Sequence, residues 1–152
     1  MNALDLGVNQ YLEIGGEKFK VINMTKYVEK SSNWIEYMLI RISDNKKFYL
    51  NVERVLKTIL YEVMEEKNID IMLNMEYDGE RYNLIEKGQG KVVSYEGSTD
   101  VAIGDVDEYF EYECTTNPNK ILSIEKWAHM TEISVGHVIK RSEILVLIEY
   151  DE

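Results

Sequence analysis

Two matching segments decide the fold of this chain: LEIGGEKFKVI at residues 12–22 and MEYDGERYNLI at residues 75–85. Each has a central dipeptide, Gly15-Gly16 or Asp78-Gly79, that tolerates the positive φ angles of a type I′ turn. Alternating polar and apolar residues flank both dipeptides, so each segment is predicted to form a β-hairpin. A two-residue loop fixes the cross-strand register. The expected pairs are Leu12–Phe19, Glu13–Lys18, Met75–Tyr82 and Glu76–Arg81.

Further segments of the two halves match in the same order, which indicates an internal repeat. Residues 35–37 correspond to 110–112, residues 50–54 to 122–126, and residues 61–63 to 131–133. We therefore predict a mainly β fold of two related antiparallel units, each a hairpin plus three strands. The units pack as one barrel- or sandwich-like globule with at most one or two short helices. The chain is a single domain, 1–152, built from an internal repeat of about 9–67 and 69–140.

Two segments leave the secondary structure open. Between residues 52 and 64, apolar residues recur at three- and four-residue spacing, which is typical of an amphipathic helix. The matching part of the second half, between Lys126 and Ile133, is too short for an ordinary helix, so a strand near residues 58–63 is favoured. Residues 143–150 fit either a buried strand or a short helix.

Composition and charge limit the classes of function. With 45% hydrophobic and 30% charged residues, the sequence is typical of a soluble globular protein. Its net charge of −11 disfavours a nucleic-acid partner. The first residues lack the features of a signal peptide, and no apolar run is long enough to span a membrane. Cys114 is the only cysteine, so no disulfide can form within the chain and a cytoplasmic location is expected.

A series of short segments carries a resemblance to a known family. The segments are GEKFKVI (16–22), WIEYML (34–39), FYLNVE (48–53), YDGERYNLIEKG (77–88), LSIEKW (122–127) and TEISVG (131–136) running to SEI (142–144). In their order and spacing they resemble the bacterial domain of unknown function 4178, over nearly the whole chain. Gln89 departs from the family, in which a pair of small residues is usual. The resemblance implies a bacterial, β-rich, cytosolic module without an established activity, and it transfers no catalytic residues.

No recognised catalytic signature is present, because the chain lacks a nucleophile elbow, a P-loop and a dinucleotide-binding fingerprint. Glu36 and Glu111 occupy matching positions and could be paired carboxylates for acid–base chemistry. Duplicated structural positions explain them equally well. We therefore favour a non-enzymatic binding or scaffold module that needs no cofactor. The alternative is a small-molecule-acting enzyme that uses carboxylates such as Glu36 and Glu111.

The metal and thiol candidates are weak. His129, Glu132 and His137 have side chains that suit zinc, but their spacing matches no zinc signature, so no metal site is predicted. Cys114 shares a strand face with Phe110 and has no histidine near it in the sequence. We expect a buried, inert thiol there.

The last candidate is a binding surface on the strand that begins near Trp34. The matching strand of the second half places Glu111 on a face that is expected to be solvated. In the first half both faces are apolar, and one of them carries Trp34, Glu36, Met38 and Ile40. We expect this face to be covered by the rest of the chain, or otherwise by a second copy or a protein partner. Trp34 would then be the anchor for that partner.

Overall fold

The structure is a computed structural model that describes residues 6–53 and 57–147. The strands are β1 (Tyr11–Ile14), β2 (Glu17–Glu29), β3 (Ser32–Arg41), β4 (Lys47–Glu53), β5 (Thr58–Glu66), β6 (Asn74–Tyr77), β7 (Glu80–Gly97), β8 (Val106–Cys114), β9 (Asn117–Lys126), β10 (Thr131–Ile139) and β11 (Ile144–Leu147). A short 3-10 helix, Arg141–Glu143, lies between β10 and β11. The predicted mainly β fold is confirmed. Within the described ranges, no helix has the length and apolarity needed to cross a membrane.

Eight of the strands close into an antiparallel barrel. Their order is β2, β3, β4, β5, β10, β9, β8 and β7, and the pairing of β2 with β7 closes the ring. The long strands β2 and β7 each change partner along their length. The first part of β2 pairs with β1, which in turn pairs with β11, and the first part of β7 pairs with β6. Three short strands therefore extend the sheet beyond the barrel.

The two predicted hairpins are β1–β2 and β6–β7. Both central residues of each turn have positive φ: 59° and 81° at Gly15-Gly16, and 48° and 80° at Asp78-Gly79. All four expected cross-strand pairs are present, so the predicted register is confirmed. The relation of the two halves as repeated units stays a prediction.

The ambiguous segment before residue 64 is strand β5, as favoured. Ile59 and Tyr61 belong to an apolar cluster inside the barrel, whereas Leu60 packs against the core on the outside. A strand that is buried on both faces has no clean polar alternation, which explains why its pattern resembles that of a helix. The second ambiguous segment forms β11 over Ile144–Leu147. The predictions for these two segments also covered residues 54–56 and 148–150, which lie outside the described residues.

The two large apolar cores lie against the outer wall of the barrel. On β3 and β4 the first core contains Tyr37, Leu39 and Leu50, which are covered by β1, β11 and the chain near Leu6. On β8–β10 the second core is covered by residues 69–77. Since strand side chains alternate, burial of these apolar rows outside turns the intervening polar rows toward the barrel interior. The extra strands therefore free the barrel interior to be polar.

One expectation about solvent exposure is wrong. Glu111 was expected on a solvated face, but it is only 8% exposed and faces the barrel interior. The alternation around Glu111 is as predicted, with Phe110 and Tyr112 together on the other face. The reason for the error is closure of the sheet, which encloses the polar face of the strand. A strand pattern alone does not distinguish an enclosed polar face from a solvated one.

Candidate functional site

A polar cavity lies inside one end of the barrel. Its volume is about 350 Å³, which lies within the range of about 300–1,000 Å³ usual for small-molecule sites. The residues that line it come mostly from inward-facing strand positions. They are Glu29, Ser31, Ser32, Asn33, Trp34, Glu36, Asn51, Glu53, Tyr61, Glu86, Asp107, Tyr109, Glu111, Ser123 and Glu125. We call this space the acidic cavity.

The lining of the acidic cavity has a strongly one-sided charge. It contains seven carboxyl side chains, and none of the described residues that line it is a Lys, Arg or His. Four of the seven, Glu36, Asp107, Glu111 and Glu125, are at most 8% exposed. Buried carboxylates are costly unless they are paired or protonated. Such an arrangement inside a small domain therefore needs a functional explanation.

Three buried polar atoms of this lining have no hydrogen-bond partner among the described residues. They are the hydroxyl oxygen of Tyr61, Oδ1 of Asp107 and Oε2 of Glu111. Buried polar groups in folded proteins are normally satisfied, because an unsatisfied one costs about 1–3 kcal/mol. All three residues line the acidic cavity. The unsatisfied atoms therefore mark a place where a polar ligand can bind.

Burial and mutual repulsion keep protons on these carboxyls. Burial, together with the charges of Glu86 and Glu53, raises the pKa of Glu111 to about 7. Burial followed by repulsion from Glu125 and Glu132 raises the pKa of Glu36 well above its usual value. The site can therefore exchange protons near neutral pH.

Asp107 and Glu125 form a hydrogen-bonded carboxyl pair. Burial raises the pKa of both side chains, and the charge of Asp107 raises that of Glu125 further. The hydrogen bond lowers the pKa of Asp107 and raises that of Glu125, so Glu125 keeps the proton and Asp107 accepts the hydrogen bond. Two close carboxyls that share one proton can both act in acid–base chemistry and receive a cationic group.

Aromatic side chains form the wall of the acidic cavity near its mouth. The Trp34 ring stacks on Tyr27 at 5.3 Å between centroids and meets Tyr109 edge-on at 5.7 Å. Glu29 accepts hydrogen bonds from the Tyr109 hydroxyl at 2.5 Å and from the Gln89 backbone N–H at 2.6 Å. These contacts join β2, β3, β7 and β8 at the seam where the barrel closes.

Gly90 permits this close approach. A Cβ atom at position 90 would lie 2.6 Å from the indole ring of Trp34, nearer than such atoms pack. The Gly88-Gln89-Gly90 stretch, which leads into no helix, therefore has a structural role at the mouth.

A smaller cavity of about 80 Å³ lies at the other end of the interior. Glu36 and Glu125 line both cavities, so they stand between the two spaces. Glu132 lines the smaller one and is 2% exposed, and the Lys47 Nζ atom neutralises it at 3.3 Å. The lining of the smaller cavity thus includes a cation, whereas the described lining of the acidic cavity includes none.

The structure brings some of the sequence-predicted site residues together. Trp34 and Glu36 line the acidic cavity, and Met38 lines the smaller one with Glu36. Ile40 lines neither of these two cavities. Glu36 and Glu111, the proposed carboxylate pair, both line the acidic cavity. Their role in binding or catalysis stays a prediction.

The weak metal candidates are separated. His129 and Glu132 line the smaller cavity, whereas His137 is exposed and lines neither cavity. Within residues 6–53 and 57–147, no three His, Cys, Asp or Glu side chains are arranged to hold a metal ion. Cys114 is buried on the outer face, as expected, with its Sγ 3.1 Å from Glu80 Oε2.

Sequence reasoning missed Tyr61, Asp107 and Glu125. Tyr61 lies in the segment with the ambiguous pattern, and no sequence motif marks the two acids. A signal was present, since Asp107, Tyr109 and Glu111 alternate along one strand, as do Ser123 and Glu125. Acidic residues are depleted in strand interiors. Repeated acidic side chains on the same face of neighbouring strands could therefore have indicated a polar interior.

The fold and the site together define a class: a closed eight-stranded antiparallel barrel with an acidic cavity inside. The chain belongs to the family described as Domain of unknown function (DUF4178), whose model matches residues 7–141. The family predicted from the sequence is thus confirmed. No curated protein and no solved structure matches this chain.

Proposed function

We propose that the protein is a non-enzymatic binding module whose ligand is a small molecule held inside the barrel. The observation that carries the proposal is the acidic cavity with three unsatisfied polar atoms, from Tyr61, Asp107 and Glu111. A ligand that satisfies these atoms removes their desolvation cost, so it binds the folded state selectively. Scaffolding alone gives no reason for an enclosed space of this size and polarity.

A thermal-shift screen of metabolites tests the proposal, because a ligand of the folded state raises the melting temperature. Each hit is then measured on Ser123→Met, which extends a buried cavity-lining side chain into the space. The matched control is Ser142→Met, since Ser142 is exposed on the short 3-10 helix. We expect hits that are lost in the first variant and kept in the second. Absence of hits, or hits that survive in both variants, would count against the proposal.

The second candidate function is an enzyme that acts on a small molecule. It is favoured by the Asp107–Glu125 pair and by the pKa of Glu111 near 7, since general acids and bases work best near the operating pH. Incubation of each hit with the protein, followed by mass spectrometry, distinguishes the two functions. A product that forms with the unmodified chain but not with Glu111→Gln, measured at ligand concentrations that saturate the variant, would show that the protein is an enzyme and not a binding module.

We also propose a cytosolic location in a bacterial cell and no nucleic-acid partner. The net charge of −11 supports the second part, because it repels phosphate backbones. The single, buried, unpaired Cys114 is compatible with a reducing compartment. A protein partner or a homodimer at the outer surface is compatible with a small ligand inside.

A further inference from the structure

We propose that the acidic cavity is a receptor for an organic cation, a small molecule with one or more ammonium or guanidinium groups. The inference rests on the proposed function and names its ligand class. It starts from the balance of charge: seven carboxyl side chains line the cavity without a Lys, Arg or His among the described lining residues. These carboxylates would repel an anionic ligand, whereas a cation could form ion pairs with them.

The unsatisfied atoms support the same class of ligand. Oδ1 of Asp107 and Oε2 of Glu111 can only accept hydrogen bonds when ionised, and the Tyr61 oxygen can also accept. An ammonium group is a pure donor with three N–H bonds, and a guanidinium group has five. Hydrogen bonds with a charged partner are about twice as strong as neutral ones. When these carboxyls are ionised, the cavity therefore lacks hydrogen-bond donors.

The protonation state of the carboxyls explains how the protein stays folded without a cation in the cavity. Without a ligand, burial and repulsion raise the pKa values of Glu36, Glu111 and Glu125, so protons neutralise part of the charge. A bound cation takes over this neutralisation, and the displaced protons leave to solvent. Binding therefore exchanges protons for a cation without placing an unpaired charge in the interior.

The size and wall of the cavity favour an organic cation over a metal ion. A volume of about 350 Å³ exceeds what a bare ion fills, and no described group of three acidic, His or Cys side chains is arranged for metal binding. Trp34 and Tyr109 line the same space, and aromatic ring faces attract cations through their quadrupole. The apolar part of an organic cation can pack against these rings.

The experiment compares probes that share a carbon skeleton and differ only in the charge of their ends. Linear diamines with four, six and eight carbons are titrated calorimetrically, each beside the diol and the dicarboxylate of equal length. Magnesium chloride and guanidinium chloride complete the set. We expect saturable binding of at least one ammonium or guanidinium probe, and no binding of the diols and dicarboxylates.

A double variant, Asp107→Asn with Glu111→Gln, tests the location of binding. Loss of two charged hydrogen-bond acceptors should lower the affinity for the cationic probe by about tenfold or more. The matched control is Glu76→Gln with Glu96→Gln, which removes two exposed carboxylates and changes the net charge equally. The control should bind almost as the unmodified chain does. Equal weakening in both variants would reveal general attraction to an acidic protein and would overturn the inference.

The remaining outcomes separate the inference from the proposed function. If the screen finds neutral or anionic ligands that Ser123→Met abolishes, while every cationic probe fails, the cavity is a binding site but the ligand class is wrong. If magnesium is the only probe that binds, and the double variant loses this binding, the ligand is a metal ion and not an organic cation. If neither the cationic probes nor the screened metabolites bind, both the inference and the proposed function fail.

Discussion

Replacement of Glu111 by glutamine should change the way in which stability depends on pH. Glu111 is buried on β8 inside the barrel, and its Oε2 atom has no hydrogen-bond partner among the described residues. The titratable side chains around it come from several elements of the barrel. They are Glu86 on β7, Glu125 on β9, Glu36 on β3, Glu53 on β4, Tyr61 on β5, and Lys57 just before β5. Glutamine keeps the size of the side chain and removes its titration.

The magnitude follows from the two pKa values of Glu111. Burial and then the charges of Glu86 and Glu53 raise this pKa from 4.5 in the unfolded chain to about 7, and Lys57 opposes the rise. Stability contributed by the protonated group is therefore complete below pH 4.5 and is lost as the pH rises to about 7. At about 1.4 kcal/mol for each pH unit, the difference between these pKa values corresponds to a loss of about 3 kcal/mol.

Urea denaturation of the unmodified chain and of Glu111→Gln, at about pH 5 and about pH 8, measures this effect. The free energy of unfolding of the variant, relative to the unmodified chain, should increase by about 2 kcal/mol between these two conditions, since part of the loss already occurs below the lower pH. The control is Glu108→Gln, on the same strand but outside the acidic cavity. Two results would refute the assignment of the proton to Glu111 in the cavity. One is a difference in free energy of unfolding between Glu111→Gln and the unmodified chain that is equal at both pH values. The other is an increase for Glu108→Gln as large as that for Glu111→Gln.

Three further predictions concern neighbouring features. Lys47→Gln should cost about 3–5 kcal/mol by urea denaturation, because it leaves the buried Glu132 carboxylate without its cation. A second change, Glu132→Gln, should restore most of the loss, and no restoration would mean that Lys47 acts otherwise. Gly90→Ala should cost about 1–3 kcal/mol, since its Cβ would lie 2.6 Å from the Trp34 ring; a melting temperature equal to that of the unmodified chain would contradict this packing. Cys114, at 3% exposure, should react with a thiol reagent only when the chain unfolds, and fast labelling of the native protein would show that it is accessible.

Local chemistry made much of the fold predictable. The two dipeptides at Gly15-Gly16 and Asp78-Gly79 define hairpins with fixed registers, because few residues tolerate positive φ at both central positions. The alternation around Phe110 and Tyr112 correctly separates the two faces of β8. Composition alone excludes few functions, and the match to the family gives no activity.

The candidate site was only partly predictable. Trp34, Glu36 and Glu111 were identified, but as a surface anchor and as repeated positions rather than as parts of one cavity. Asp107 and Glu125 lie on the consecutive strands β8 and β9. They were missed because only closure of the barrel, through the pairing of β2 with β7, encloses the face that they share. Their shared proton depends on burial, which no local pattern contains.

The sequence by itself determined the strands, the two tight turns and the row of polar side chains on each strand, since these depend on residues that are close along the chain. Only the tertiary structure decided which side of the sheet is enclosed. Pairing of β2 with β7 closes the barrel, while β1, β11 and residues 69–77 cover the apolar rows outside. The acidic rows then face one another across the interior, where low solvent access raises the pKa values of Glu36 and Glu111. Closure of the sheet thus turns scattered acidic residues into a site.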